Sequence, residues 1–217
     1  MRSTDCAPFS ARHRQTRFTY RQRSRPVKLP DTTTLLIIDV QQGMVDRSRG
    51  PRNNPDAESR LEHVLSTWRN AGRPLIHVKH NSIRPDSVFH SSNPGNEIQP
   101  FARPLDGEIL IEKQANCAFV GTDLEARLRA EGVDTVVIMG FVTNHCVETT
   151  ARIAGDLGFD TYVVSDATGA YDRVSPDGEL ISGDVIHQVA LTSIHGEFAT
   201  VVTSSDVIAA ISQDAGN

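Results

Sequence analysis

The sequence predicts an α/β fold: three layers, α/β/α, around a doubly wound, mainly parallel sheet of six strands. Two observations predict it. Short apolar runs alternate with amphipathic helical segments along residues 31–217, the pattern of a parallel sheet covered on both faces. Two apolar runs also end in a reactive side chain, Asp39 and Lys113, and a third is followed after a short polar turn by Cys146. In an open parallel sheet ligands sit at the carboxyl ends of the strands, so this topology would gather an acid, an amine and a thiol on one edge.

The elements follow in order. Residues 34–39 read as the first strand. Residues 56–71 read as a helix that Asp56 can cap, with Leu61, Val64, Leu65 and Trp68 on one face and Gly72 as its stop. Leu75 to Lys79 is a second strand. Residues 80–107, rich in Pro, Asn, Ser and Gly, form a long loop; loops of that length in a compact domain are usually functional, and this one follows a strand's carboxyl end. Residues 109–112 make the third strand, and a helix begins at Thr122 or Asp123 and closes at Gly132. The strand 135–139 leads into a helix from about His145 to Gly158. Thr161 to Val164 is the fifth strand. A helical pattern over 178–195 turns Ile181, Val185, Val189 and Ile194 inward. Ala199 to Val202 is the sixth strand, and Ser204 or Ser205 caps a last helix to about Ser212.

The stretch Val136 to Arg152 carries the most chemistry. Its strand ends at Gly140, and a polar turn delivers Cys146 to the first turn of a helix. Unpaired N–H groups and the positive end of the helix dipole there favour thiolate over thiol. Cys146 also fits the role of a small buried hydrophobe, Asp39 that of a helix cap, and Lys113 that of a solvated strand end. Their coincidence on one edge favours a general base, a cationic stabiliser and a nucleophile.

Bulk composition excludes several classes. The net charge of −5 divides into +7 over residues 1–30 and −12 over the body. An acidic body argues against a nucleic-acid surface. The three cysteines, Cys6, Cys117 and Cys146, are too few and too widely spaced for a disulfide framework. No CxxC pair or His/Cys cluster suggests zinc, and no cofactor is implied. No run approaches membrane-spanning length, so a cytoplasmic setting is expected. Residues 1–30 are basic, rich in Arg, Ser and Thr, and lack the apolar core of a secretory signal. A disordered tail, a transit-like peptide and an arm packing on a partner subunit remain open. The remaining residues, 31–217, read as one domain.

With these residues in hand, the chain resembles the isochorismatase-like cysteine hydrolase superfamily. That group includes nicotinamidases, N-carbamoylsarcosine amidases, ureidoacrylate amidases and streptothricin hydrolases. The resemblance runs from about Leu35 to about Ile211. It is carried by Leu-Ile-Ile-Asp-Val-Gln-Gln ending at Gln42, Glu-Lys-Gln-Ala-Asn-Cys-Ala-Phe-Val-Gly-Thr over 112–122, Gly-Phe-Val-Thr-Asn-His-Cys-Val-Glu-Thr-Thr-Ala-Arg over 140–152, and Val-Ser-Asp-Ala-Thr-Gly-Ala-Tyr-Asp over 164–172.

The resemblance implies a Rossmann-like sheet and a triad of Asp39, Lys113 and Cys146. It also implies a cis peptide between Val142 and Thr143, with backbone N–H groups near Thr143 and Cys146 forming an oxyanion hole. The implied activity is cleavage of a C–N bond in a small amide, ureido or carbamoyl compound through a thioester, by a homodimer or homotetramer. Nicotinamidases hold a metal with an Asp-x-His and a later His. Here that stretch reads Val78-Lys79-His80-Asn81-Ser82 with His90 further on, so no metal is expected. Isochorismatases themselves generally lack the cysteine.

Gln41, His80, His90 and Phe119 are candidates for lining the substrate pocket. Loop, strand-end or core roles explain each equally. Asp166 could orient pocket groups or cap a helix, and Tyr171 and Asp172 could close over the site or meet a neighbouring subunit. Two further functions stay open: a catalytically inactive metabolite-binding protein on the same scaffold, and an interaction protein using its basic tail.

Overall fold

The computed structural model describes residues 27–46 and 49–214. Its core is a six-stranded sheet formed by β1 (Thr34–Ile38), β2 (Leu75–His80), β3 (Ile109–Lys113), β4 (Thr135–Gly140), β5 (Asp160–Val164) and β8 (Thr200–Val202). The spatial order is β3-β2-β1-β4-β5-β8, and every neighbouring pair is parallel. A small antiparallel hairpin, β6 (Arg173–Val174) and β7 (Leu180–Ile181), lies outside it. Among the described residues no helix is long and apolar enough to cross a membrane.

Alternation along the strands builds two cores. Leu35 and Ile37 of β1 and Val137 and Met139 of β4 face one side. There they pack against α1 (Ala57–Asn70), through Leu61, Val64, Leu65 and Trp68, and against α5 (Ser204–Asp214), through Val207 and Ile211. Leu36, Ile38, Val136 and Ile138 face the other side. They meet α2 (Leu124–Ala130), α3 (Glu148–Asp156) and α4 (Gly183–Ile194). A side-chain period of two on a sheet with helices on both faces requires this division.

The strand order fixes where a ligand can enter. From β1 the chain steps to β2 and β3, then returns across β1 to β4, so the order reverses between β1 and β4. Open α/β sheets offer a crevice at such a switch point, outside the strands' carboxyl ends. Gly140 makes the approach of β1 and β4 possible there. Its φ is +118°, and a Cβ at that position would lie 2.0 Å from the carbonyl oxygen of Ile38, which only glycine avoids.

Several expected boundaries move. The Asp56 side chain makes no capping hydrogen bond. Helix α5 is opened by Thr203, whose N–H and hydroxyl donate to Asp206 Oδ2, at 2.8 and 2.7 Å, while Asp206 N–H donates back to Thr203 Oγ1, a reciprocal cap. The segment 178–195 is not one helix. Its first residues belong to the hairpin, and α4 starts after Ser182, whose hydroxyl accepts from Val185 N–H. That start rotates the helix: Ala190, Leu191 and Ile194 are buried, whereas Val185 and Val189 are 50% and 62% exposed. Packing also begins before residue 31, because Leu29 is 3% exposed and the Arg73 guanidinium donates to the carbonyls of Leu29 and Pro30. The rest of the expected N-terminal extension lies outside the described residues.

Candidate active site

Three strand ends bring the acid, the amine and the thiol together. Asp39 follows β1, Lys113 closes β3, and Cys146 lies in a wide helical turn (Thr143–Val147) between β4 and α3. Lys113 Nζ donates to Asp39 Oδ2 at 2.7 Å and to Cys146 Sγ at 3.4 Å. Its third direction is taken by the carbonyl of Ala115 at 3.1 Å. All three residues are buried, with Cys146 the most accessible at 7%. Asp39 adopts φ +51°, a left-handed conformation that aspartate tolerates better than most residues. Asp39 Oδ1 is buried and has no hydrogen-bond partner among the described residues.

The surroundings of the thiol work against a resting thiolate. Burial and the Asp39 carboxylate push its pKa well above the usual thiol range, and Lys113 pulls the other way without prevailing. The sequence-based expectation weighed the ammonium and the helix terminus but not the loss of water around sulfur. Cys117, 3% exposed, is likewise pushed up by burial.

The turn before Cys146 differs from expectation in two respects. The cis peptide joins Phe141 to Val142 rather than Val142 to Thr143. Phe141 N–H still donates to Ile38 O at 2.8 Å, so the chain stays on the sheet through Phe141 and leaves it at the next bond. Thr143 N–H donates to Gly169 O at 2.9 Å. It is therefore committed and does not serve as the expected oxyanion donor. The Thr143 hydroxyl is bound to Thr168 Oγ1 at 3.0 Å and to His187 Nδ1 at 2.8 Å.

Of the four candidate lining residues, one joins the trio. His80 Nδ1 lies 3.4 Å from Lys113 Nζ, and its ring meets Phe89 edge-on at 6.1 Å. Burial and the neighbouring ammonium depress its pKa, keeping the imidazole neutral. Gln41 is a clamp instead. Its amide donates to the carbonyls of His80 and Asn96 and accepts from His80 N–H, which leaves no donor for a ligand. Gln41 and Asn96, whose own amide donates to His80 O, Asn81 Oδ1 and Phe89 O, tie the 80–107 loop to the end of β1. His90 bonds to Ser92, two residues on. Phe119 stacks on Phe159, just before β5, with centroids 6.0 Å apart, so apolar packing claims it. Asp166 accepts from Ser204 N–H and hydroxyl at the start of α5. Tyr171 is buried and donates to the carbonyl of Met44, and Asp172 accepts from Gly183 N–H.

The structure adds residues that the sequence did not single out. Asn116 Oδ1 lies 3.8 Å from Cys146 Sγ; its place inside the 112–122 motif was the available signal. His145, next to Cys146, bonds through Nε2 to the Arg173 guanidinium at 3.1 Å. Arg49 lies over the rings of Phe89 and Tyr171, at 5.3 and 4.8 Å. Among the described residues no group of three or more His, Cys, Asp or Glu side chains is arranged to hold a metal.

Fold and site together define a three-layer α/β protein with an acid–amine–thiol trio at its switch point. The chain belongs to the isochorismatase family: the model of the isochorismatase domain matches residues 33–206. It is 40% identical over 180 residues to the isochorismatase family protein YrdC of Bacillus subtilis, covering 83% of this chain and 96% of that one. A crystal structure of an isochorismatase-family protein from Chromobacterium violaceum superposes with a TM-score of 0.84 at 40% identity, covering 87% of this chain and 98% of the other. Maleamate amidohydrolase of Pseudomonas putida is 30% identical over 199 residues, covering 84% and 88% of the two chains. The protein is a hydrolase of this family.

Proposed function

We propose that the protein hydrolyses a C–N bond of a small amide, ureido or carbamoyl compound, with Cys146 as nucleophile. The observation that carries this reading is the buried ammonium of Lys113 within bonding distance of both the Asp39 carboxylate and the Cys146 sulfur. An ion pair buried to this degree is costly to desolvate and does not repay that cost as a stability device; it is typical of a reacting site. The uncommitted Oδ1 of Asp39 supplies an acceptor for the thiol proton.

The chemistry follows from these positions. Substrate entry brings an electrophilic carbon to sulfur. Asp39 takes the thiol proton as the Sγ–C bond forms, and Lys113 stabilises the anionic sulfur on the way. With Thr143 N–H engaged, the backbone N–H of Cys146 is the donor left, of the two expected, for the developing oxyanion. The C–N bond then breaks, and Asp39 returns its proton to the departing nitrogen, releasing ammonia or an amine. Water attacks the remaining thioester carbonyl, gives a proton to Asp39, and the carboxylic or carbamic acid leaves as the thiol re-forms.

A panel of small amides and ureides tests the reading. The full chain releases ammonia from at least one member, and Cys146→Ala abolishes that release. Undiminished release by the variant would remove Cys146 from the reaction, and no release from any member would favour the metabolite-binding alternative.

A further inference from the structure

We propose that Arg49, Arg173 and His145 form a carboxylate-binding rim at the mouth of this site, so that the substrate is an amide or ureide whose far end is anionic. The inference rests on the amide-hydrolase reading and narrows its substrate class.

Three separate segments supply the rim. Arg49 comes from the loop after β1, His145 from the turn holding Cys146, and Arg173 from β6 of the hairpin. A short chain of contacts links each to the reacting groups. His145 precedes Cys146 in the chain and bonds Arg173. Arg49 rests on Phe89, Phe89 meets His80, and His80 meets the Lys113 ammonium, which touches sulfur. Burial foremost, then the charges of Arg173 and Arg49, lower the His145 pKa, and the Glu148 carboxylate opposes them without prevailing. The Arg173 guanidinium thus touches the ring beside the nucleophile, and Arg49 approaches the site from the side of Phe89 and Tyr171.

The two rim arginines lack the ion pair that many arginines of this acidic body make, and the nearby Glu148 carboxylate is itself paired with Arg152. Arg52, Arg69, Arg84, Arg127, Arg129 and Arg152 each lie within ion-pair distance of a carboxylate. Among the described residues neither Arg49 nor Arg173 is in such a pair. Arg49 Nε is buried without a hydrogen-bond partner among them, while the guanidinium carbon lies 5.3 and 4.8 Å from the ring centroids of Phe89 and Tyr171. A planar donor fork fixed in this way fits a carboxylate's two oxygens. The neutral amide end of such a substrate would then point down toward Cys146, with the trio's own Asp39 already neutralised by Lys113.

Malonamate, succinamate and glutaramate, compared with their neutral diamides, test the rim at three spacings. Binding is read by calorimetry on the full chain carrying Cys146→Ala, where turnover plays no part. We expect at least one monoamide to bind about tenfold or more tightly than its diamide, a preference of the size one good charged contact provides. Adding Arg173→Gln, an exposed position that does not threaten folding, or Arg49→Gln should bring the ratio near one, and Arg49→Lys should restore part of it. Equal or weaker binding of every monoamide, no binding of any, or a ratio unmoved by both glutamine variants would overturn the rim. Failure of the two readings is separable. Ammonia from diamides without an anionic preference sinks the rim alone, whereas rim-dependent binding with no ammonia released by the wild-type chain sinks the hydrolase reading alone.

Discussion

At the scale of residues, the site is a contest over one proton. Burial and Asp39 keep the Cys146 thiol protonated at rest, and Lys113 opposes them. The carboxylate that later removes the proton is thus also a reason the proton stays until a substrate arrives. Asp39→Asn should therefore do two things in opposite directions. Turnover should fall by about 10²–10⁴-fold, the usual worth of a general base. Alkylation of Cys146 by iodoacetamide near neutral pH should become faster than in the wild type, because the like charge that disfavours thiolate is gone. Slower or unchanged labelling, followed by peptide mass spectrometry, would show that Asp39 does not face the sulfur. The trio was legible in the sequence because Asp39 and Lys113 close apolar runs and Cys146 follows a third after one polar turn, and a parallel sheet delivers run ends to one edge. Thr143 and Gln41 were misjudged because the partners that consume their donors, Gly169 O, His80 O and Asn96 O, come from distant segments that no local pattern announces.

At the scale of elements, long-range ties decide what local periodicity left open. The i, i+4 series Ile181, Val185 and Val189 reads as an inward stripe, yet the hairpin takes Ile181 and the cap at Ser182 sets α4's rotation so that both valines face out. Arg49 and Arg173 stand in stretches without periodicity, so nothing in the sequence linked them to Cys146. A tie of the same long-range kind joins α1, β2 and the turn before β3. Glu108 binds Arg69 at 2.7 Å and His77 at 2.8 Å and accepts from Leu105 N–H at 2.8 Å. Burial alone would raise its pKa; these partners, Arg69 foremost, outweigh burial and hold it down at about 2. The folded value lies below the unfolded one, so this contribution is complete above the ordinary carboxylate range and is lost as pH falls through about 2. Glu108→Gln should accordingly lower the melting temperature near neutral pH, and the gap to the wild type should shrink steadily on acidification below about pH 4.5. A gap independent of pH in thermal melts would mean that packing, not charge, is what Glu108 provides.

At the scale of the whole molecule, the sheet order is what makes a site of three distant sequence positions. Asp39 and Cys146 flank the point where the winding reverses, and Lys113 reaches in from the edge strand. Alternating strands and helices predicted this architecture well; the start of packing was less legible, because two apolar residues, Val27 and Leu29, in a basic, proline-flanked stretch give no periodic signal. Leu29 is the more buried of the two, and Arg73 donates to the carbonyls of Leu29 and Pro30. Deleting residues 1–26 should leave turnover intact. Extending the deletion to residue 30 should lower stability by about 1.5–3 kcal/mol, the value of burying one leucine, as read from denaturant unfolding. Equal stability of the two truncations would place Leu29 outside the core.

The central claim is that carbon becomes bonded to the sulfur of Cys146 during turnover, and acid-quenched reactions analysed by intact-protein and peptide mass spectrometry test it most directly. With a hydrolysed amide present, the account predicts a mass increase equal to the substrate's acyl group, confined to the peptide containing Cys146 and absent from Cys146→Ala. An acyl group found on another residue, or turnover that persists in the alanine variant, would contradict it.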